Sequence, residues 1–310
     1  MNYVEADSLC KSYGRNTALR GVSFDVAEGE LFGIIGPDGA GKTSIFRILT
    51  TLILPDSGSG KVLGLDIIGD YREIRRHIGY MPGRFSLYQD LSVEENLRFF
   101  ATLFGTTIEE NYHLVKDIYR YIEPFADRKA GALSGGMKQK LALCCALIHK
   151  PEVLFLDEPT TGVDPVSRKE FWNMLKRLRD SGLSIIVSTP YMDEATLCDR
   201  IALIKNGKFM DTDTPQGIIG KFDFPLLAVN GPGMPALLRA TREIPQVLSC
   251  YAFGNEHHVT MKDKGLSPDA AALIIRTALY AKGYGEVSIK AIEPNIEDCF
   301  MYFDTMEEKA

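Results

Sequence analysis

The sequence predicts an α/β fold built on a parallel sheet, followed by a small α+β domain, and three observations support this expectation. A strand-like run at 30–35 leads through a glycine-rich loop into a helix-like run at 44–49. A second strand-like run is apolar throughout and ends in two adjacent acids, Asp157 and Glu158. Buried parallel strands have this apolar character, and open α/β sheets bind ligands at the carboxyl ends of their strands. Residues 226–291 follow the order strand, helix, strand, strand, helix, strand.

A phosphate-binding P-loop is expected between the first of these strands and its helix. Successive glycines let backbone N–H groups turn toward phosphate oxygens, and the helix N-terminus adds the positive end of its dipole. Lys42 can reach the β- and γ-phosphates of a nucleoside triphosphate, and the Thr43 hydroxyl can ligate Mg²⁺. The candidate nucleotide-binding residues of the loop are Gly36, Pro37, Asp38, Gly39, Ala40, Gly41, Lys42, Thr43 and Ser44.

Length, charge and cysteine usage restrict the class of protein. A chain of 310 residues can build one large core and a smaller domain. Its net charge of −6 provides no overall attraction for nucleic acid, so no nucleic-acid partner is expected. The six cysteines have no metal-ligand spacing, which fits a reducing cytosol. Without a signal-peptide pattern or an apolar run near the ~18 residues of a membrane span, we expect a cytoplasmic protein, soluble or peripheral to the membrane.

The segments around the loop indicate further strands and one aromatic residue of interest. Residues 4–9 and 19–26 alternate apolar and polar side chains, as half-buried strands do. After a segment rich in turn-forming residues, strands are expected at 61–65 and 77–81. Tyr13 lies in the turn between the first two strands, where it is either a partly buried anchor or a ring that stacks on adenine. The sequence leaves both interpretations open.

A helical subdomain is expected at about 92–130, where helical patterning dominates. Ser92 followed three residues later by Glu95 is the pattern of a capping box at its start. Beyond it, a glycine pair opens another helix with a serine in the N-cap neighbourhood. This second candidate anion-binding helix terminus consists of Ser134, Gly135 and Gly136.

Two acids complete the predicted nucleotide site. Asp157 is the expected partner of Mg²⁺, together with Thr43. Glu158 is placed to orient or deprotonate an attacking water, so Glu158 and Lys42 are the predicted catalytic residues. Further along, a turn that contains Asp164 leads into a helix.

We expect a first domain at 1–221 and an accessory domain at 222–310. The order of strands and helices in the accessory domain suggests a ferredoxin-like α+β sandwich. The adjacent residues His257 and His258 could suggest a metal site there. Because neighbours in a strand point to opposite faces, they are instead interpreted as ordinary hairpin residues.

Taken in order, these motifs resemble the ATP-binding subunit of an ABC transporter, over about residues 3–221. Gly36–Thr43 resembles the Walker A loop of that family, and Leu133–Met137 resembles its signature sequence. Val153–Glu158 resembles Walker B with its catalytic glutamate. The resemblance implies a P-loop NTPase of the ABC ATPase type, with an antiparallel β subdomain and a helical subdomain.

The resemblance extends to single positions and to one branch of the family. Asp164 matches the D-loop, and Tyr13 falls where the family has its adenine-stacking aromatic residue. The phrases Gly-Pro-Asp-Gly-Ala-Gly-Lys-Thr and Tyr-Met-Asp-Glu-Ala look like the drug- and polysaccharide-exporter branch, in which a small C-terminal α+β domain is common.

The family implies a mechanism with ATP and Mg²⁺ as cofactors. Two ATP-binding subunits sandwich two ATP molecules, so Ser134, Gly135 and Gly136 would contact a nucleotide held by the partner. ATP closes the pair and hydrolysis reopens it. That motion drives a separate transmembrane permease, at the inner face of the cell membrane.

Two positions depart from the family pattern. Gly83 stands where the family has a glutamine that senses Mg²⁺ and the membrane domain, and Gln89 is not expected to replace it without a loop rearrangement. Pro190 stands where the family has a histidine that contacts the γ-phosphate, and proline has neither a side-chain donor nor a backbone N–H. We therefore favour a slow Walker site and pairing with a different, competent ATP-binding subunit over a homodimer.

Two alternative functions are weighed against the transporter motor. Gly83 and Pro190 favour a regulatory ATP-binding module without turnover, whereas Glu158 argues against one. A soluble ABC ATPase that acts on ribosomes or DNA usually carries two cassettes or a long coiled-coil insertion. This chain has one cassette, no heptad run and an acidic balance.

Overall fold

The computed structural model describes residues 1–307, which divide into two compact units with the boundary between Thr214 and Pro215. The short helix Pro215–Gly220 packs against the C-terminal helix Ile296–Glu307, so it belongs to the second unit. The sequence-based boundary after residue 221 therefore lies inside the second unit. No helix within residues 1–307 is both long and apolar enough to cross a bilayer.

Two sheets form the framework of the first unit. The strands are β1 (Asn2–Tyr13), β2 (Asn16–Ala27), β3 (Leu31–Ile35), β4 (Ser57–Val62), β5 (Leu65–Asp66), β6 (Ile78–Met81), β7 (Val153–Asp157), β8 (Ser184–Thr189), β9 (Arg200–Lys205) and β10 (Lys208–Asp213). One sheet is antiparallel, in the order β2-β1-β4-β5. The other has the order β10-β9-β3-β8-β7-β6 and is parallel except for its edge strand β10. The carboxyl ends of β3, β7 and β8 therefore meet at one edge of this sheet.

Helices of the first unit cover these sheets and form the predicted helical subdomain. They are α1 (Lys42–Leu49), α2 (Tyr71–His77), α3 (Val93–Leu103), α4 (Ile108–Tyr119), α5 (Gly135–Leu147) and α6 (Pro165–Asp180). The predicted capping box of α3 is confirmed, because Ser92 and Glu95 exchange hydrogen bonds of 2.7 and 3.1 Å. The sequence analysis did not find α2, since Ile74 is its only buried residue and leaves no apolar periodicity.

Burial explains why the phosphate-loop helix is fixed so firmly. Strands β3, β7 and β8 are buried along their whole length, as expected of central parallel strands. Helix α1 lies between the two sheets, and its Phe46 ring meets Phe155 of β7 edge-to-face at 5.9 Å. The start of α1 is thus anchored directly to the strand that ends in the two acids.

One segment that resembles a turn is a strand. The glycine- and serine-rich residues 57–60 belong to β4 and pair with β1, for example Asp7 with Ser59. Gly58 has a φ of +87°, and a Cβ atom there would collide with the backbone oxygens of Asp7 and Ser8. Glycine here permits a close approach of two backbones rather than a loop, so the expected strand start at residue 61 was wrong.

The second unit has the predicted ferredoxin-like arrangement. Its elements are α7 (Pro215–Gly220), β11 (Leu226–Asn230), α8 (Met234–Arg242), β12 (Val247–Phe253), β13 (Glu256–Met261), α9 (Pro268–Ala281), β14 (Ser288–Ala291) and α10 (Ile296–Glu307). The strands form an antiparallel sheet in the order β12-β13-β11-β14. Helices α8 and α9 share a core with it, built around Leu237, Val259 and Ile275.

His258 anchors α10 to the sheet of the second unit. Its Nδ1 lies 2.7 Å from Asp298 Oδ1, and its ring stacks on Phe253 with centroids 4.0 Å apart. Asn295 caps α10, because its Oδ1 accepts a hydrogen bond of 3.0 Å from Asp298 N, and Asp298 Oδ2 accepts one of 3.0 Å from Asn295 N in return. His257 and His258 lie in β13 of the predicted hairpin, and both side chains are buried. Burial and nearby Arg242 on α8 lower the pKa of His257, whereas His258 lies against α10.

We expect Asp298→Ala to destabilise the second unit by about 1–3 kcal/mol, because the buried His258 loses its 2.7 Å hydrogen-bond partner and the start of α10 loses one of its two capping hydrogen bonds. Faster hydrogen exchange of the β13 and α10 amides would report this loss. Fluorescence of Trp172 is unsuitable as a probe, because it is the chain's single tryptophan and lies in the first unit. The matched control is Glu286→Ala, which removes an exposed carboxylate from the same unit. Equal exchange rates in the two variants would contradict the anchoring role.

Candidate functional site

The phosphate-binding loop connects the carboxyl end of β3 to α1. Gly41 precedes α1 with a φ of +111°, and a Cβ atom there would lie 2.5 Å from the Ala18 carbonyl oxygen. A side chain at this position would therefore push the loop away from β2. Lys42 is the first residue of the helix, and Thr43 and Ser44 follow it in the first turn. The loop and the amino end of α1 thus have the arrangement that the sequence predicts.

Lys42 and Glu158, the two predicted catalytic residues, form an ion pair. The Lys42 ammonium lies 3.0 Å from Glu158 Oε1 and donates to the carbonyl oxygens of Gly36 at 2.7 Å and Pro37 at 3.0 Å. These three acceptors match the three N–H bonds of an ammonium group. The lysine side chain is 2% exposed and the glutamate side chain 22%. The buried cation is therefore compensated within the chain itself.

Asp157 and Thr43 lie together, as expected of a pair that binds a divalent cation. Asp157 Oδ1 accepts a hydrogen bond of 2.7 Å from the Ser188 hydroxyl. Burial raises the pKa of Asp157, although hydrogen bonds from Ser188 and Thr43 act in the opposite direction. A hydroxyl and a carboxylate oxygen are suitable ligands for Mg²⁺, which retains water in its remaining positions. The donor set therefore fits the predicted metal ion.

Glu158 has an unusual backbone conformation that the neighbouring strand holds in place. Its φ is +51°, in the left-handed region that is uncommon for residues other than glycine. Its N–H lies 3.1 Å from the Ser188 carbonyl oxygen and 3.0 Å from the Ser188 hydroxyl. Such conformations persist where the surrounding structure fixes them, and they are frequent at functional sites. Ser188 thus orients both acids, a role that the sequence analysis missed.

Gly83 lies directly beside Asp157. A Cβ atom at Gly83 would be 3.1 Å from the Asp157 carbonyl oxygen and 3.8 Å from its Oδ2. A longer side chain at this position would therefore start next to the carboxylate of the predicted metal site. Gln89 lies elsewhere, because its carbonyl accepts from Gly131 N at 2.9 Å and its side chain packs against Gly131. The expectation that Gln89 does not replace the missing glutamine agrees with this position.

Tyr13 lies at the end of β1, beside the phosphate loop. Its ring is 46% exposed, and its hydroxyl lies 3.4 Å from the Ser44 hydroxyl. Lys11 approaches the ring with its ammonium 5.9 Å from the centroid. This exposure fits a partly buried anchor and also leaves the side chain accessible to a ligand, so both interpretations of Tyr13 stay open.

The second predicted group of site residues lies at the amino ends of α5 and α6. Ser134 caps α5 by accepting a hydrogen bond of 3.4 Å from Met137 N. Asp164 caps α6 by accepting from Val166 N at 3.1 Å and from Ser167 N at 2.9 Å, and these bonds lower its pKa. Gly136 contacts Ser167, whereas Gly135 lies near the Gly162 carbonyl. The two helix ends therefore pack together and present one surface.

A buried carboxylate, Glu194, was also missed. It is 2% exposed and accepts hydrogen bonds from the hydroxyls of Thr160 and Thr189. Both threonines flank residues of the nucleotide site, since Thr160 follows the two acids and Thr189 follows Ser188. The phrase Tyr-Met-Asp-Glu-Ala gives no local signal that its glutamate is buried, because one of the two hydroxyl partners, Thr160, lies 34 residues away.

Known proteins resemble the chain in sequence and in fold. The family model described as "ABC transporter" matches residues 19–161. The chain is 32% identical over 311 residues to the linearmycin resistance ATP-binding protein LnrL of Bacillus subtilis, and the match covers 96% of this chain and 97% of that protein. It is 35% identical over 273 residues to the Nod factor export ATP-binding protein I of Paraburkholderia xenovorans, covering 84% and 90%.

A third relative is longer than this chain, and a solved structure confirms the fold. The probable multidrug ABC transporter ATP-binding protein YbhF of Escherichia coli is 41% identical over 218 residues, which cover 69% of this chain but 38% of that protein. The dimeric bacterial ABC transporter cassette MJ0796 matches with a TM-score of 0.62 and 26% identity, covering 68% of this chain and 98% of that structure. The predicted ABC ATPase fold is confirmed, and at the level of the family so is the prediction of an ATPase of the exporter branch. The chain belongs to the ATP-binding proteins of ABC transporters.

Proposed function

We propose that this chain binds and hydrolyses ATP to drive a separate membrane permease that exports its cargo. The observation that carries the proposal is the convergence of four side chains, Lys42, Thr43, Asp157 and Glu158, at the carboxyl ends of β3 and β7. Phosphoryl transfer requires an anion-binding loop, a cation site and a group that handles the attacking water. All three requirements meet at this position.

The residues of the site divide the work. The backbone of Gly36–Ser44 would surround the phosphates, and Tyr13 would stack on the adenine. Thr43 and Asp157 would hold Mg²⁺, which neutralises charge on the phosphates when bound. The γ-phosphate competes with Glu158 for the Lys42 ammonium. When Lys42 turns to the phosphate, the Glu158 carboxylate is released to accept a proton from the attacking water.

The paired arrangement of the family accounts for the second group of residues. Ser134, Gly135, Gly136 and Asp164 would face a nucleotide that is held by a second ATP-binding subunit. The N-terminus of α5 offers backbone N–H groups and a dipole to its γ-phosphate. We favour a different ATP-binding subunit as the partner, because Gly83 and Pro190 would slow hydrolysis at this chain's own site.

Gly83 and Pro190 would make hydrolysis at this site slow. Glycine provides no side chain where it adjoins Asp157, and Pro190 provides no donor at the end of β8. Loss of one transition-state donor typically costs ~10²- to 10³-fold in rate. A regulatory module that binds ATP without turnover remains the second candidate because of these two residues. Glu158, whose backbone N–H donates to the Ser188 hydroxyl, favours turnover.

The relatives support a membrane partner and the direction of transport. One relative is named for the export of Nod factor and another for resistance to linearmycin, and both are described as ATP-binding proteins. We propose that this chain likewise lies at the cytoplasmic face of a membrane, bound to a permease. Its segment between Gly83 and α4 exposes Tyr88 and Leu103, with 51% and 63% of their surfaces accessible, and could contribute to that contact.

Partner identity can be tested by affinity purification. The tagged full-length chain, extracted from membranes of its source organism with detergent, is expected to bring with it a multi-span protein and a second ATP-binding protein. Recovery of the permease with this chain as the sole ATP-binding protein would contradict hetero-pairing. Recovery of the chain alone would contradict the permease partner.

Pro190→His is expected to accelerate steady-state ATP hydrolysis by about tenfold or more, because it restores a side-chain donor at the end of β8. The matched control is Pro190→Ala, which removes the ring but adds no donor. Adding Gly83→Gln should accelerate the reaction further, after a small shift relieves the 3.1 Å contact with Asp157. The slow-site proposal fails if the alanine variant is accelerated as much as the histidine variant, or if neither is accelerated.

Asp157→Asn is expected to raise the Tm of the nucleotide-free chain but to abolish the additional stabilisation that Mg²⁺ gives to the ATP complex. Because burial raises the pKa of Asp157, its ionisation costs stability as pH rises through that pKa. The gain in Tm should therefore be present at high pH and vanish below the ordinary carboxyl pKa. Asp164→Asn should instead lower the Tm at high pH and leave it unchanged at low pH. Hydrogen bonds lower the pKa of Asp164, so its ionised form stabilises the fold. A Mg²⁺-dependent shift that survives in Asp157→Asn would contradict the metal assignment.

A further inference from the structure

A buried carboxylate connects two loops at the edge of the nucleotide site. Glu194 lies in a short 3-10 helix, Met192–Leu197, after β8 and is 2% exposed. The Thr160 hydroxyl lies 2.8 Å from Glu194 Oε1 and 3.1 Å from Oε2, and the Thr189 hydroxyl lies 2.5 Å from Oε2. Both threonines are themselves almost fully buried. One carboxylate therefore holds the loop after β7 and the end of β8 together.

The charge of Glu194 is compensated locally. Arg168 of α6 approaches with its Nε 3.7 Å from Glu194 Oε1. The guanidinium of Arg168 also lies over the Tyr191 ring, 4.0 Å from the centroid. A buried carboxylate needs such a partner, because burying an isolated charge is costly. Thr160, Arg168, Thr189 and Glu194, which we call the Glu194 cluster, thus place two hydroxyl donors and one guanidinium around a single carboxylate.

The Glu194 cluster lies next to Glu158, the proposed general base for the attacking water. Thr160 follows Glu158 after a single proline, and Thr189 directly follows Ser188, which holds Asp157 and the Glu158 N–H. The ends of β7 and β8 are therefore joined twice, by Ser188 on one side of Glu158 and by Glu194 on the other. The left-handed backbone of Glu158 lies between these two links. Loosening either link would release a strained turn.

We propose that Glu194 is a positioning residue for ATP hydrolysis, acting through Thr160 and Thr189 to fix the direction of the Glu158 carboxylate. Its function differs from that of the phosphate loop, because none of its hydrogen bonds involves residues 36–44. Loss of Glu194 should therefore lower kcat and leave the affinity for ATP unchanged.

The cluster also explains why Thr189 does not substitute for the missing histidine. A threonine hydroxyl has one hydrogen to donate, and that of Thr189 is directed to Glu194. The same oxygen accepts from Tyr191 N at 3.1 Å. As long as the cluster is intact, the side chain next to Pro190 is committed to the protein and cannot donate to a phosphate.

Three substitutions test the proposal in the full-length chain. Glu194→Gln keeps the shape but places an amide nitrogen where the site supplies hydroxyl donors, and Thr160→Val removes one link. Both are expected to lower kcat by about 10- to 100-fold, the size of effect produced by a small misplacement of a reacting group. The dissociation constant for a fluorescent ATP analogue should change less than twofold. Thr160→Ser, which retains the hydroxyl, should restore kcat.

The matched control is Thr241→Val, which removes another fully buried threonine hydroxyl, in the second unit. Its kcat should equal that of the native chain. The proposal is overturned if Glu194→Gln and Thr160→Val keep native kcat, if they weaken ATP binding as much as kcat, or if Thr160→Ser does not rescue turnover.

If the native chain hydrolyses ATP too slowly for values of kcat to be compared, two further measurements test the proposal. Hydrogen exchange should accelerate at amides 158–164 in Glu194→Gln and Thr160→Val, and stay native at amides 39–45. Uniform acceleration, or none, would overturn the proposal. The same variants in the Pro190→His background separate this proposal from the slow-site proposal. If Pro190→His brings no acceleration, only the slow-site proposal fails, because the ratio of kcat to binding affinity still tests Glu194 in the native chain.

Discussion

The buried ammonium of Lys42 is the interaction around which the nucleotide site is arranged. It ties the loop after β3 to the acid at the end of β7, through two carbonyl oxygens and the Glu158 carboxylate. A lysine at 2% side-chain exposure would be costly without these acceptors. Because a γ-phosphate carries more negative charge than a carboxylate, we propose that it replaces Glu158 as the anionic partner of Lys42.

That exchange links binding to chemistry. In the nucleotide-free chain, Lys42 and Glu158 neutralise one another, so neither is an unpaired buried charge. In our proposal, binding of a triphosphate separates them and leaves Glu158 to accept a proton from the attacking water. The direction in which Glu158 then points depends on backbone held by Ser188 and, in our proposal, by the Glu194 cluster. A strained turn is useful here only because two neighbouring strands hold it.

Gly83 and Pro190 follow the carboxyl ends of β6 and β8 in the same sheet, and in our proposal they slow hydrolysis. In our proposal, the residues that bind phosphate and Mg²⁺ are all present, whereas glycine and proline replace the side chains that would contact the γ-phosphate and the metal. This combination fits a subunit whose ATP serves mainly to hold a pair closed, with faster hydrolysis at the site of a partner. The second unit has its own core and its own buried hydrogen bond, between His258 and Asp298.

The sequence by itself determined the features whose cause is local. The glycine spacing and the Gly-Lys-Thr phrase are sufficient to predict the phosphate loop and Lys42. An apolar strand that ends in two acids is sufficient to predict Asp157 and Glu158. Each of these motifs is a single contiguous segment, so its pattern can be read directly from the chain. The order of strands and helices likewise predicts the fold of the second unit. Only the tertiary structure decided the rest. Residues 57–60 form a strand because glycine permits close contact with β1. Ser188 and Glu194 acquire their roles through Asp157 and Thr160, which lie 31 and 34 residues away in sequence. A hydrogen bond across strands leaves no periodicity in the sequence, so these contacts become visible only when β7 and β8 lie side by side.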